Sequence, residues 1–253
     1  MNIIGLKAVF LKEILRTKKV IIQAILSPVI TTVLYFIVFG AGIGQHISLK
    51  SEVSYGAFIV PGLIVMSLIM NAFMSSSSGI YFPRFIGTIV DYLTAPLSFF
   101  EITLGFSLAA TARALIIGLL IYVSALLFIP VPVTHPTLAL FFSFFISLTF
   151  SFLGCIAGLW AKDFEQMSFI PTLIIMPLSF LGGVFYTPDM LSGIWQTVTL
   201  INPIFFMVDG LRYAFFGVSS VSFPSSVIAV FITLIASLLL LWSIFKTGYR
   251  LRS

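Results

Sequence analysis

The chain has 253 residues, 60% of them hydrophobic and 8% charged, with a net charge of +5 and a mean hydropathy of +1.18. Those values exclude an ordinary soluble domain. The positive balance does not point to nucleic acid, because the basic residues gather at the two chain ends, where they read as a topology signal.

Segments 20–49, 53–83, 114–161, 166–188 and 213–245 carry no charged residue. About 20 consecutive apolar residues suffice for one helix to cross a bilayer, so the chain reads as an all-α integral membrane protein with six spans and no separate soluble domain. Cys155 is the single cysteine; in an apolar run it reads as a small buried hydrophobe rather than part of a disulfide framework. The apolar run from residue 20 is too long for the core of a cleavable signal peptide and lacks a small-x-small cleavage site. The first span is therefore expected to remain as an anchor.

Residues 1–19 form a prelude to the first span. On a helical wheel Lys12, Glu13 and Arg16 share one face, while Ile3, Ile4, Phe10, Leu11, Ile14 and Leu15 cover the other. That pattern predicts an amphipathic helix in the membrane interface, with Lys7 snorkelling. Span one is predicted at 20–39, with Pro28 inside it and a glycine-rich stop at 40–44. Span two is predicted at 57–81 and contains Pro61, Asn71 and the serine run 75–78. A mixed segment at 82–98 separates it from span three at 102–128, which has Glu101 at its mouth and Arg113 inside. The turn at 130–136 leads into span four at 137–160, and the charged loop 161–166 into span five at 167–186, which holds Pro171 and Pro177.

The tract 187–223 is apolar but interrupted by Gly193, Asn202-Pro203, Asp209-Gly210 and Arg212. A straight span would leave these groups unsatisfied in hydrocarbon, so short re-entrant or interfacial helices are expected, with a seventh span as the alternative. Span six is predicted at 224–245 and is followed by a basic tail. With both termini in the cytoplasm, Lys7, Lys12, Arg16, Lys18, Lys19, Arg84, Lys162, Lys246, Arg250 and Arg252 fall on the inner side, and only Lys50 and Arg212 on the outer side. This is the asymmetry of the positive-inside rule; a seventh span would move the basic tail outside.

The chemistry-bearing motifs are absent. There is no G-x-x-x-x-G-K-[ST] loop, no G-x-S-x-G, no H-E-x-x-H and no Cys/His cluster, and His46 and His135 fall in predicted outer loops. ATP hydrolysis, nucleophilic catalysis and metal chemistry in this chain are therefore not expected. Of the few polar groups inside the spans, Arg113 is a default functional candidate. Glu101, twelve residues earlier, is ~18 Å away along a straight helix and too far to pair with it; snorkelling or a partner on another helix stay open. Asn71 fits a hydrogen bond between helices. Segment 82–98 is longer than a turn needs. It mixes Phe82, Phe85, Ile86, Val90 and Tyr92 with Arg84 and Asp91, a composition that suits either a soluble partner or a lipid surface.

Taken together, these residues resemble the type-2 ABC transporter permeases, the membrane subunits of bacterial ABC exporters. The likeness covers nearly the whole chain: the basic N-terminal helix, Ser27-Pro28-Val29-Ile30, Phe58-Ile59-Val60-Pro61-Gly62-Leu63, and Leu93-Thr94-Ala95-Pro96-Leu97-Ser98. Its most specific part is PLSFLGGVFY at 177–186, followed by Asn202-Pro203-Ile204 and Gly210-Leu211-Arg212-Tyr213. Phe206 departs from the pattern, where Tyr or His is more usual. The likeness is strongest to the small six-span permeases of nodulation-factor, drug-resistance and polysaccharide exporters.

The resemblance implies two permease copies with two separate ATPase subunits that hold ATP and Mg. It also implies a coupling helix within 82–98, with Arg84, Phe85, Asp91 and Tyr92 as ATPase contacts, and a location in the bacterial inner membrane. The importer pattern E-A-A-x-x-x-G is absent, so export of an amphipathic, lipidic or saccharide cargo is the expectation. An ATP-independent channel or secondary transporter, and a membrane scaffold without transport, are the competing readings. The substrate is not encoded in any motif.

Overall fold

The computed structural model describes residues 2–19, 22, 26–35, 37–38 and 53–247, and every regular element among them is helical. α1 (Ile3–Lys19) and α2 (Ser27–Tyr35) precede the long α3 (Tyr55–Phe85). A short α4 (Ile89–Thr94) leads to α5 (Phe99–Leu126) and α6 (Pro136–Trp160). α7 (Phe164–Ile170), a π-helical turn (Pro171–Ile175) and α8 (Met176–Phe180) form one apolar run, followed by α9 (Ile194–Ile201), α10 (Pro203–Phe216) and α11 (Phe223–Thr247).

Among the described residues, four helices are long and apolar enough to cross a membrane: Tyr55–Phe85, Phe99–Leu126, Pro136–Trp160 and the Phe223–Ile244 part of α11. They coincide with the expected spans two, three, four and six. α9 and α10 meet at 77° and would make a fifth only if the bent pair counts as one span. The apolar run over the expected fifth span is the shorter Phe164–Phe180. Of the expected first span, only α2 and a few neighbouring positions lie within the described residues, as does none of the loop 40–52 or the tail 248–253.

Local chemistry sets the helix ends. Ser54 accepts the Ala57 N–H at 3.4 Å and caps α3. Ser98 and Glu101 form a reciprocal capping box at the start of α5, and Pro136 occupies the first turn of α6, where its missing N–H is harmless. Pro177 cannot donate to the turn before it, and upstream the ladder widens so that the Met176 N–H bonds the Pro171 carbonyl five residues back.

α3 forms the centre, with α5 and α6 against it; α1 lies on α5, α11 on α6, and α10 is wedged among α3, α6 and α11. α6 comes close to α3 because Gly154 and Gly158 face it. A Cβ at Gly154 would stand 2.3 Å from the Phe73 carbonyl oxygen, and one at Gly158 2.5 Å from that of Ser77. Such G-x-x-x-G contacts bring helix backbones together in lipid, where burial drives little association. Phe73, Ile117, Phe142, Ile146 and Leu211 are buried in the main core. A second cluster of Val9, Ile80, Tyr92, Phe106 and Leu159 joins α1 and α4 to the bundle.

The N-terminal segment is a helix, and of its polar face Glu13 turns inward while Lys12 stays exposed. Glu13 is buried, bonded to Arg16 at 2.8 Å and close to Gly79 of α3, while Ile3, Ile4, Leu11 and Leu15 are exposed. The outward apolar stripe is the surface lipid would cover.

Candidate functional site

At one end of the bundle, four scattered sequence segments converge. Asn202 caps α10 by accepting the Ile204 N–H at 3.0 Å, and its amide donates to the Leu178 carbonyl at 2.6 Å. One helical face further on, Arg212 is buried. It donates to the Gly183 carbonyl at 2.7 Å and its guanidinium carbon lies 3.9 Å from the centre of the Phe58 ring. Its Nε and Nη1 have no hydrogen-bond partner among the described residues. Tyr55 at the start of α3 donates to the Phe185 carbonyl at 2.9 Å.

Asp209, fully buried, accepts the Ser220 N–H at 2.8 Å and the Val221 N–H at 3.3 Å, closing the loop from α10 into α11. The turn between α5 and α6 completes the lock: the Thr134 and His135 N–H groups donate to the carbonyls of Phe215 and Ala214 at 3.0 and 2.8 Å. α10 then ends at Gly217, whose φ of 71° suits a residue without a side chain. The 177–186 segment, Asn202-Pro203, Arg212 and the start of α3 are thus one packed unit.

The opposite end carries α4 and the sequence-predicted contact residues, which diverge in direction. Phe85 is 70% exposed and stacks on Tyr81 with ring centres 5.8 Å apart. Asp91 is exposed in the first turn of α4. Phe82, Ile86, Val90 and Phe164 are exposed beside them, the Phe82 and Phe164 rings 6.5 Å apart.

Arg84 and Tyr92 point into the protein instead. Arg84 donates to the Gly158 and Leu159 carbonyls at 3.0 and 2.6 Å, satisfying the open end of α6. Tyr92, 7% exposed, packs on Phe106 and receives a hydrogen bond from Lys12, whose ammonium also lies 4.1 Å from the ring centre. These two side chains hold the end together, and Phe85 and Asp91 form its free surface.

Inside the bundle, Asn71 bonds within its own helix, donating to the Ser67 carbonyl at 2.9 Å and hydroxyl at 3.2 Å, rather than between helices. Arg113 is half-buried on α5, near Arg16 of α1, and its Nε has no hydrogen-bond partner among the described residues. Glu101 does not serve it: that carboxylate is bonded by the Ser98 N–H at 2.8 Å and by the Asn2 N–H. No group of three or more His, Cys, Asp or Glu able to hold a metal occurs among the described residues.

Residues 5–216 match the ABC-2 type transporter family. The chain belongs to that family. The inner membrane transport permease YadH of Escherichia coli K12 is 36% identical over 250 residues, spanning 99% of this chain and 98% of the relative. Nodulation protein J of Rhizobium meliloti is 28% identical over 214 residues, or 81% of this chain and 79% of its own length. Nodulation protein J of Rhizobium leguminosarum bv. viciae is 28% identical over 238 residues.

As an ABC-2 permease, the chain uses two acidic residues that the sequence reading gave no role. Asp209 looked like a helix breaker and is a buried loop cap. Glu13 looked like part of a solvated face and is buried where α1 packs beside Gly79 of α3, paired with Arg16 of its own helix. A signal for Glu13 existed, since it is the sole acidic residue before Glu52. None existed for Asp209, whose partners are backbone groups on a later loop.

Proposed function

We propose that this permease is the membrane subunit of an ATP-driven exporter, working as two copies with two separate ATPase subunits that bind ATP and Mg. It would lie in the bacterial inner membrane with six spans and both termini in the cytoplasm. Phe85, Asp91 and the apolar surface around them would receive the ATPase. An amphipathic, lipidic or saccharide cargo would move outward.

The observation that carries this reading is the exposed surface at the α4 end. α3 has 31 residues, ~46 Å of helix against a hydrocarbon core of ~30 Å. With the crossing over the expected 57–81, its last turn extends past the hydrocarbon and carries Phe82 and Phe85 to where water would otherwise meet them. An apolar patch rimmed by charge at that level suits a protein partner. The ties from Arg84 to α6 and from Lys12 to Tyr92 make the patch a rigid lever on the bundle, which a motion transmitted from outside requires.

The test is purification of the tagged permease in mild detergent after co-expression with its candidate ATPase. An active, vanadate-sensitive ATPase should be recovered at about one per permease, and F85D should lower that recovery at least tenfold with permease yield unchanged. A stable permease that never retains an ATPase would overturn the reading in favour of a channel, secondary transporter or scaffold.

A further inference from the structure

Two arginines meet on the flank of α5, and one carboxylate serves them both. α1 climbs α5 from its start, with Gly5 against Leu97 and Val9 against Gly105. Two turns beyond Val9 stands Arg16, and about two turns beyond Gly105 stands Arg113, so the two guanidinium groups come within electrostatic reach of each other. Glu13 pairs with Arg16 at 2.8 Å. Arg113 keeps a buried Nε with no hydrogen-bond partner among the described residues. It lies midway along the 28 residues of α5, about 20 Å of helix from either end, and so near the middle of a hydrocarbon core of ~30 Å. Snorkelling recovers only part of that depth.

The protein has no carboxylate to give Arg113. Of its eight acidic residues, Glu101 is the single one on the four long helices. Glu101 stands at the start of α5, bonded by the Ser98 and Asn2 N–H groups. Glu13 is taken by Arg16, and segment 14–51 contains no acidic residue. Asp209 is bonded to backbone N–H groups at the far end of the bundle. A second copy would bring the same set, and so none at this depth. An unpaired guanidinium is costly in hydrocarbon, and two of them repel. The anion that balances them has to come from outside the protein.

The surroundings fit an amphiphile. Leu15, beside Arg16, and Ile116, one turn past Arg113, are 56% and 50% exposed, so the arginines sit on an apolar surface open to lipid. A phosphate has enough oxygens to bridge two guanidinium groups, and each group matches it in a forked pair.

We propose that Arg16 and Arg113 hold the phosphate head group of an amphiphile below the membrane surface, with its chains along Leu15 and Ile116. A head group at this depth has left the level at which resting lipids keep theirs, which suits a cargo in transit. That the amphiphile is cargo rests on the export reading; the phosphate site does not.

For the test, the full chain is purified in mild detergent, delipidated and titrated with dioleoyl phosphatidate or with dioleoylglycerol, which lacks the phosphate. Bound lipid is counted by native mass spectrometry. Wild type should bind one phosphatidate per chain saturably, and at least tenfold more tightly than dioleoylglycerol. R113Q should lose that preference and R113K should retain part of it. K18Q removes an exposed cation of α1 and should leave it unchanged. Equal binding of the two probes by wild type overturns the proposal without any variant. A folded R113Q that keeps the preference overturns it too, as does a K18Q that loses as much as R113Q.

The source of the amphiphile is read from the complex with the ATPase in liposomes. Phosphatidate that speeds ATP turnover in wild type and not in R113Q marks cargo; unchanged turnover with one tightly retained phospholipid marks a lipid of the membrane. Both outcomes support the site and differ in where its occupant comes from. If no ATPase is recovered, the export reading fails while the binding result stands.

Discussion

Replacing Arg212 by Met keeps an unbranched apolar stem but removes the group that donates to Gly183 and lies over Phe58. A hydrogen bond from a charged donor and a desolvated cation–π contact are each worth about 2 kcal/mol. R212M should therefore lower the stability of the purified permease by about 2–4 kcal/mol, read as a fall in its thermal midpoint, and R212K should fall between. Glu13 gives a pH signature instead. Burial holds its carboxyl above the usual carboxylate range, against the opposing pull of Arg16 and Lys12. From the ordinary carboxylate range up to that raised value, the docked form keeps a proton that the undocked form releases, so docking of α1 weakens as pH rises through this window. Hydrogen exchange in α1 should speed up across it in wild type and stay flat in E13Q. The identity of such residues was legible in the sequence, but their direction was not. Arg84 and Asp91 are both charged and seven residues apart in one segment, yet Arg84 caps α6 while Asp91 meets solvent. The carbonyls that claim Arg84 belong to a helix more than seventy residues away.

Close approach of α3 and α6 makes a sharp demand at the scale of the element. At Gly154 the obstructing atoms are the Phe73 carbonyl and the Ser76 hydroxyl, the latter 2.2 Å from a Cβ, and α3 backbone cannot yield as a flexible side chain would. G154A should cost about 1–3 kcal/mol, the usual range for overpacking a tight site, and G154L should abolish recovery of monodisperse permease. G87A is the contrast: a Cβ there meets nothing within 4 Å, and only its φ of 79° is unfavourable, so a loss of about 1–2 kcal/mol is expected. Size-exclusion profiles and thermal midpoints of the three variants check the order. Most elements were legible because a bilayer demands long uncharged windows, and caps such as Ser98 with Glu101 mark where helices start. The 164–180 run was harder to read. Its prolines announce a distortion, but whether the chain kinks, breaks or widens to a π turn depends on the packing around Pro171 and Ile175, both buried. Hydropathy carries no trace of that choice.

Across the whole molecule the two ends differ in kind. The end bearing α9 and α10 is a network of buried polar ties among motif residues, and the end bearing α4 presents apolar side chains on a braced platform. The orientation proposed from lysine and arginine placement assigns the platform to the cytoplasm, and this can be measured on the intact protein. Cys155 is buried and is the sole cysteine, so C155S provides a background for single reporters. Thr88 sits exposed beside α4 and Ser192 exposed before α9. T88C should react with an impermeant maleimide only after cells are opened, and S192C should react in intact cells. A third reporter, S253C in the basic tail, tests the number of crossings. If α9 and α10 dip in and return, four spans separate residue 88 from the tail and S253C must label like T88C. If the bent pair crosses, the tail emerges on the other side and S253C labels like S192C. Matching behaviour of T88C and S253C, opposite to S192C, is the expected result. It would fix α9 and α10 as a re-entrant hairpin that turns back at Asn202.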